Sequence, residues 1–197
     1  MNIGILLCDE LEADLLAEYG PYSEMFVSLL RPVDPDVTFT VYDVRYGDFP
    51  IHLDAADAYL ITGSHHGVND GFPWISELEE LTRRLHDARK KVIGICFGHQ
   101  LIAKALGGKV IKSPKGWGIG MSVNKMTQHK PWMHPSLETL NLRISHQDQV
   151  VELPPEAEVL ASSEFCPFYM LQIHNNLLTV QGHPEDSKEY TEALIKT

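Results

Sequence analysis

The chain is poor in cysteine: Cys8, Cys96 and Cys166 lie far apart among 197 residues, with no C-x-x-C pair. That excludes a disulfide framework and a thiolate zinc site, and predicts reduced thiols. No apolar run approaches the roughly 20 residues that span a bilayer, and the opening MNIGILLCDE has neither the basic start nor the length of a secretory signal. A cytoplasmic protein is expected. Positive charge is also scarce, with 16 Lys and Arg against 27 Asp and Glu and a formal net charge of -11. Such a balance repels nucleic-acid phosphates and anionic lipid faces, so neither nucleic acid nor membrane is an expected partner. No repeat, low-complexity tract or linker divides the sequence. With 44% hydrophobic residues it has enough apolar material for a full core, and residues 1–197 read as one domain.

What is present is an alternation of short apolar runs and helical patterns. NIGILLC (Asn2 to Cys8) reads as a strand buried on both faces, and Tyr22, Met25, Phe26, Leu29 and Leu30 follow helical spacing. Val37, Phe39 and Val41 alternate as a strand does. AYLITG ends a further buried strand at Gly63, and Trp74 to Lys90 carries Ile75, Leu78, Leu81 and Leu85 at helical spacing. KVIGIC and HQLIAKAL give the next strand and helix. This order predicts an α/β fold with a mostly parallel sheet between helices. After Gly107-Gly108 the runs GKVIK, GIGMSVNKM, LNLRISH, AEVLASS, FYMLQIH and LLTVQGH follow without helical intervals, which predicts additional antiparallel strands in the C-terminal half. SPKGWGIG and QHKPWMHPS read as loops. A last helix starts near Ser187 and stops abruptly with the sequence at Thr197, as a chain with further residues would.

Where KVIGIC meets HQLIAKAL, one cysteine stands between two glycines. Gly94-Ile95-Cys96-Phe97-Gly98 has the spacing of a strand-turn-helix elbow, which lifts a nucleophile out of the sheet. The helix that follows aims its free N–H groups and positive dipole end at the sulfur, which favours thiolate. The Phe97 amide would face a developing oxyanion. Cys8, inside its strand, and Cys166, before Pro167, read as structural core residues. A nucleophile needs a base. In QGHPED, Pro184 biases His183 toward extended backbone, where side chains two apart point the same way. Glu185 can then hold the His183 imidazole as the third member of a triad does.

Other residues have plainer readings. His65, His66 and His99 lack any HExxH or C-x-x-C context, so no metal is expected there, and TGSHHGVNDG lacks the Lys-Ser/Thr ending of a phosphate-binding loop. No cofactor is expected. SELEEL reads as a solvated helix face.

The elbow and the His-Pro-Glu tripeptide together resemble the class I glutamine amidotransferase family, the Cys-His-Glu type found on GMP synthase and other biosynthetic enzymes. The resemblance extends to ITGSHHGVND as the oxyanion-strand loop, SHQDQV as the substrate-side loop, and GWGIG, which is similar to the Gly-Trp-x-x-Gly stretch of stand-alone GMP-synthase-like members. It implies a flavodoxin-like fold with Cys96 as nucleophile, His183 as base and Glu185 as orienter. It further implies an oxyanion hole from the Gly63 and Phe97 amides, and contact of Gln100, His146 and Gln147 with bound glutamine. The implied reaction cleaves the side-chain amide of glutamine through a γ-glutamyl thioester and releases ammonia, and motif grounds favour it. Two alternatives stand beside it: a γ-glutamyl peptidase acting on a peptide or conjugate, and a catalytically quiet binding or regulatory subunit. No synthase sequence follows the motifs, so an ammonia acceptor would come from elsewhere, a synthase partner subunit being one source. Asp186 stands where family members often carry an aromatic, and its charge is expected to raise His183 or Glu185.

Overall fold

The computed structural model describes residues 1–196; the abrupt end expected at Thr197 lies outside them. Its elements run β1 (Asn2–Leu7), α1 (Ala13–Tyr19), α2 (Tyr22–Leu30), β2 (Thr38–Asp43), β3 (Ala58–Ile61), α3 (Pro73–Asp87), β4 (Lys91–Ile95), α4 (Phe97–Ala105), β5 (Lys109–Lys112) and β6 (Gly118–Met126). They continue with β7 (Thr139–His146), β8 (Asp148–Glu152), β9 (Ala157–Ser162), β10 (Met170–Ile173), β11 (Leu177–Val180) and α5 (Lys188–Leu194). A nine-stranded sheet has the order β2-β1-β3-β4-β11-β10-β9-β6-β7. Its β2, β1, β3, β4 and β11 run parallel, and β10, β9, β6 and β7 extend it antiparallel. This is the flavodoxin-like α/β architecture with added antiparallel strands.

Alternation along the parallel strands divides the core between the two sheet faces. Leu6, Tyr59, Ile61 and Val92 pack with Leu78 and Leu81 of α3 and with Leu101 and Ile102 of α4. Ile3, Ile5, Leu7 and Leu60 pack with Tyr22, Phe26 and Val27 of α2. Such strands are apolar throughout because both faces are covered.

Several boundaries differ from the sequence reading. Helix α3 ends at Asp87 rather than Lys90, closed by the Ala88 N–H on the Arg84 carbonyl. Strand β6 begins inside the segment expected as the SPKGWGIG loop. Asp148 to Val150 of the SHQDQV loop belong to β8, paired with β5 in a separate two-stranded sheet. Helix α1 was not expected: it is short and buries only Leu15. Strand β6 also turns its apolar residues outward, with Ile119, Met121 and Val123 about 60% exposed while Ser122 and Asn124 are buried. Asn124 donates to the Leu140 carbonyl at 3.1 Å, a backbone partner that makes its burial tolerable.

Candidate active site

The parallel strands β3, β4 and β11 end together, and their C-terminal ends carry the candidate residues. Cys96 lies between β4 and α4 with φ 50° and ψ −99°, a left-handed backbone held outside the ordinary L-residue regions. Its N–H donates to Val180 O at 2.9 Å, and Gln100 N–H donates to Cys96 O at 3.1 Å, so β11 and the first turn of α4 fix the turn from both sides. The flanking glycines are demanded by packing. A Cβ on Gly98 would lie 2.4 Å from the Ile61 carbonyl oxygen, and one on Gly94 would lie 2.6 Å from the Gly98 carbonyl oxygen. Helix α4 is thus seated directly on the sheet, its first N–H groups without intrahelical acceptors beside the sulfur.

His183 follows β11 and is clamped by a single antiparallel bridge to β7, its N–H donating to Arg143 O at 2.8 Å. Its Nδ1 lies 2.8 Å from Glu185 Oε1, which also accepts the Tyr22 hydroxyl at 2.9 Å. Glu185 is buried, and its Oε2 has no partner among the described residues. Burial opposes charge on His183, but Glu185 and Cys96 outweigh it and hold the imidazole well above its ordinary value. The charged imidazolium is the favoured state of His183 beside the Cys96 sulfur.

Gly63 closes the group. A Cβ there would meet the Tyr22 hydroxyl at 2.7 Å, His183 Cε1 at 3.1 Å and Cys96 Cβ at 3.8 Å, so the backbone after β3 lies against all three. Phe97 is the first residue of α4, where an N–H is free of the helix.

Two cavities meet at the thiol, sharing Ser64, His65, Cys96 and Ser145. One, of about 380 Å³, is lined by Phe97, Gln100, Lys112, His146, Gln147 and Asp148. The other, of about 220 Å³, is lined by His183 and Asp186 together with residues of the β1–α1 connection. The residues expected around bound glutamine therefore converge on one side of Cys96. Gln100 is already engaged, its Nε2 donating to Asp148 O at 2.8 Å and to Gln181 Oε1 at 3.1 Å. His146 is buried with neither ring nitrogen partnered among the described residues, and burial with His183 nearby pushes it down to about 4. It stands as a neutral imidazole at the cavity wall.

Asp186 lies within electrostatic reach of His183, on which the largest raising groups are Glu185 and Cys96. Asp186 is itself pushed up to about 6, by burial and then by Glu185, against His183 and Arg143. His183, Glu185 and Asp186 offer ligand atoms within 4.8 Å of one another. The His183–Glu185 hydrogen bond already occupies one atom of each, which makes the trio a poor metal cradle. Of the histidines weighed as metal ligands, His65 caps Asp9 at 2.8 Å and His99 is buried against Thr179 Oγ1 at 2.8 Å.

Two contacts escaped the sequence reading. Gln181 Nε2 reaches Cys96 Sγ at 3.5 Å. It stands two residues before His183, so extended spacing could have found it. Tyr22 is 163 residues from Glu185 and carried no signal.

The class I glutamine amidotransferase family model matches residues 18–196. The chain belongs to that family. Among its relatives, gamma-glutamyl peptidase 4 of Arabidopsis thaliana is 38% identical over 179 residues, covering 87% of this chain and 70% of the relative. A glutamine amidotransferase-like protein of Schizosaccharomyces pombe is 31% identical, covering 99% and 83%. The crystal structure of a glutamine amidotransferase from Methylobacillus flagellatus superposes with a TM-score of 0.81 at 25% identity, covering 99% of this chain and 74% of that one. No helix among the described residues is long and apolar enough to cross a membrane.

Proposed function

We propose that this chain is a cysteine-dependent hydrolase of γ-glutamyl amide bonds. The observation that carries the reading is Cys96, held at φ 50° on the end of α4, facing a His183 that is itself hydrogen-bonded to Glu185 at 2.8 Å. In the proposed sequence the Cys96 thiolate attacks the γ-carbonyl carbon, and the Gly63 and Phe97 N–H groups stabilise the oxyanion. The C–N bond then breaks as the His183 imidazolium gives its proton to the leaving amine, forming a γ-glutamyl thioester. Water, deprotonated by His183, attacks that thioester; glutamate leaves and Cys96 is regenerated. Glu185 keeps the imidazole oriented and stabilises its charged form throughout.

Glutamine and amine-substituted γ-glutamyl compounds share this chemistry and differ in the leaving group. The cavity on the His183 side, about 220 Å³, offers more room than ammonia requires. That observation favours the peptidase alternative over glutamine hydrolysis, and the similarity to gamma-glutamyl peptidases supports it. A lone-chain hydrolase needs no partner subunit, whereas an ammonia-donating subunit would stay slow until a synthase partner ordered the loops around Gly63 and His146. A steady-state assay of the purified chain on glutamine and on a γ-glutamyl dipeptide decides between them. Turnover of the dipeptide above glutamine is expected; glutamine hydrolysis alone, or none without a partner, would return the amidotransferase-subunit reading.

A further inference from the structure

The two cavities that meet at Cys96 differ in charge, and the proton inventory tells which end of a substrate each receives. His183 must protonate the departing amine, and His183 lines the smaller cavity and not the larger one. Phe97, Gln100 and His146 line the larger cavity only, where Asp70 and Asp148 are accompanied by Lys112, among the described residues the one Lys or Arg lining either cavity. A glutamyl group with its α-carboxylate belongs on that side, and the leaving amine departs into the smaller cavity.

That smaller cavity is walled by Asp9, Glu10, Glu12 and Asp186, with no Lys or Arg among its lining residues, and by Leu11 and Leu15. Asp9 is partly compensated, with His65 Nδ1 at 2.8 Å and an Arg45 nitrogen at 3.9 Å. Glu10 is spent on the backbone, accepting the Leu11 and Tyr22 N–H groups at 3.0 and 2.8 Å. Arg143 approaches Asp186 from outside the cavity and donates to its main-chain oxygen. Among the described residues no cationic side chain makes an ion pair with Glu10, Glu12 or Asp186. The result is a short aliphatic surface with a negative rim beside the reacting thiol.

We infer that the leaving-group side of this site selects amines that carry a second, positive charge on an aliphatic stem, so that γ-glutamyl diamines or γ-glutamyl peptides with a cationic tail are favoured over those ending in a carboxylate. The stem lies on Leu11 and Leu15 while the cation reaches the carboxylates, and an anionic tail is repelled by the same groups. This rests on the hydrolase reading above and adds the leaving group to it.

The test is a charge series of one length: the γ-glutamyl amides of putrescine, pentylamine and γ-aminobutyrate, with glutamine alongside. The order of kcat/KM expected is cation above neutral above anion. The extremes should differ on the order of tenfold or more in dilute buffer, with the gap narrowing as salt screens it. Glu12→Gln should shrink the cation-to-neutral ratio by about threefold, a readout that general loss of activity does not move. Equal rates across the series, or preference for the anionic amide, would overturn the selectivity. Cleavage of glutamine with none of the three amides would overturn the leaving-group side itself, while failure on all four compounds would reject the hydrolase reading instead.

Discussion

Replacing Asp186 with Asn should make the protein more stable at neutral pH and leave it unchanged in acid. Burial against Glu185 pushes the Asp186 carboxyl from its ordinary 3.8 up to about 6. An acid whose folded value is raised loses stability as pH climbs from its unfolded value through its folded one, because the native state resists the ionised form. The penalty is absent below about pH 3 and complete above about pH 7. At about 1.4 kcal/mol per pH unit, a rise of that size corresponds to roughly 3 kcal/mol. The carboxyl borders a solvent-filled cavity, which screens its charge, so about 1–2 kcal/mol is the working figure. Asn keeps the shape and removes the charge. Urea unfolding of both proteins at pH 8 and pH 4.5 checks the sign, since the midpoint difference should be clear at the first pH and fall to about a third of that at the second. An Asn variant that is no more stable at pH 8, or equally displaced at both pH values, would refute the argument.

Gly63→Ala should lower kcat/KM on the order of ten- to a hundredfold without unfolding the protein, because the new methyl must displace the Tyr22 hydroxyl and His183 from their places; a rate near that of the parent protein would mean the pocket yields at no cost. Tyr22→Phe removes one of two hydrogen-bond partners of Glu185 Oε1 and should cost on the order of 1 kcal/mol or more in urea unfolding, with a stability unchanged from the parent speaking against that contact.

Some of this was written openly in the sequence. Strands β1, β3 and β4 are apolar after their first residues because helices cover both faces of the sheet, and a continuous apolar run is the direct record of that. The glycines around Cys96 mark where a helix sits on backbone; the His183–Glu185 contact is expected from extended spacing, whereas Pro184 and Glu185 form a turn that brings the carboxylate to the ring. The remainder depends on contacts between distant segments. Helix α1 buries one leucine and has no side-chain cap, so ADLLAEY shows little periodicity. Strand β8 exists because β5 pairs with it, which its own composition does not announce. The outward apolar residues of β6 invert the usual pattern, since buried Ser122 donates to Asn124 and Asn124 in turn donates to the Leu140 carbonyl of β7, a partner invisible in the local sequence. Asp186 could be seen to lie near the candidate triad, but only the packing around it shows that its own carboxyl is pushed up as well.

The central claim is covalent chemistry at Cys96, and trapping the acyl-enzyme tests it most directly. Purified protein mixed with a γ-glutamyl amide and quenched in acid within the first turnover should carry a γ-glutamyl adduct by intact mass. Peptide mapping should place it on the segment containing Cys96, and Cys96→Ala should lose adduct and turnover together. An adduct on Cys8 or Cys166, or hydrolysis that persists in Cys96→Ala, would contradict the account.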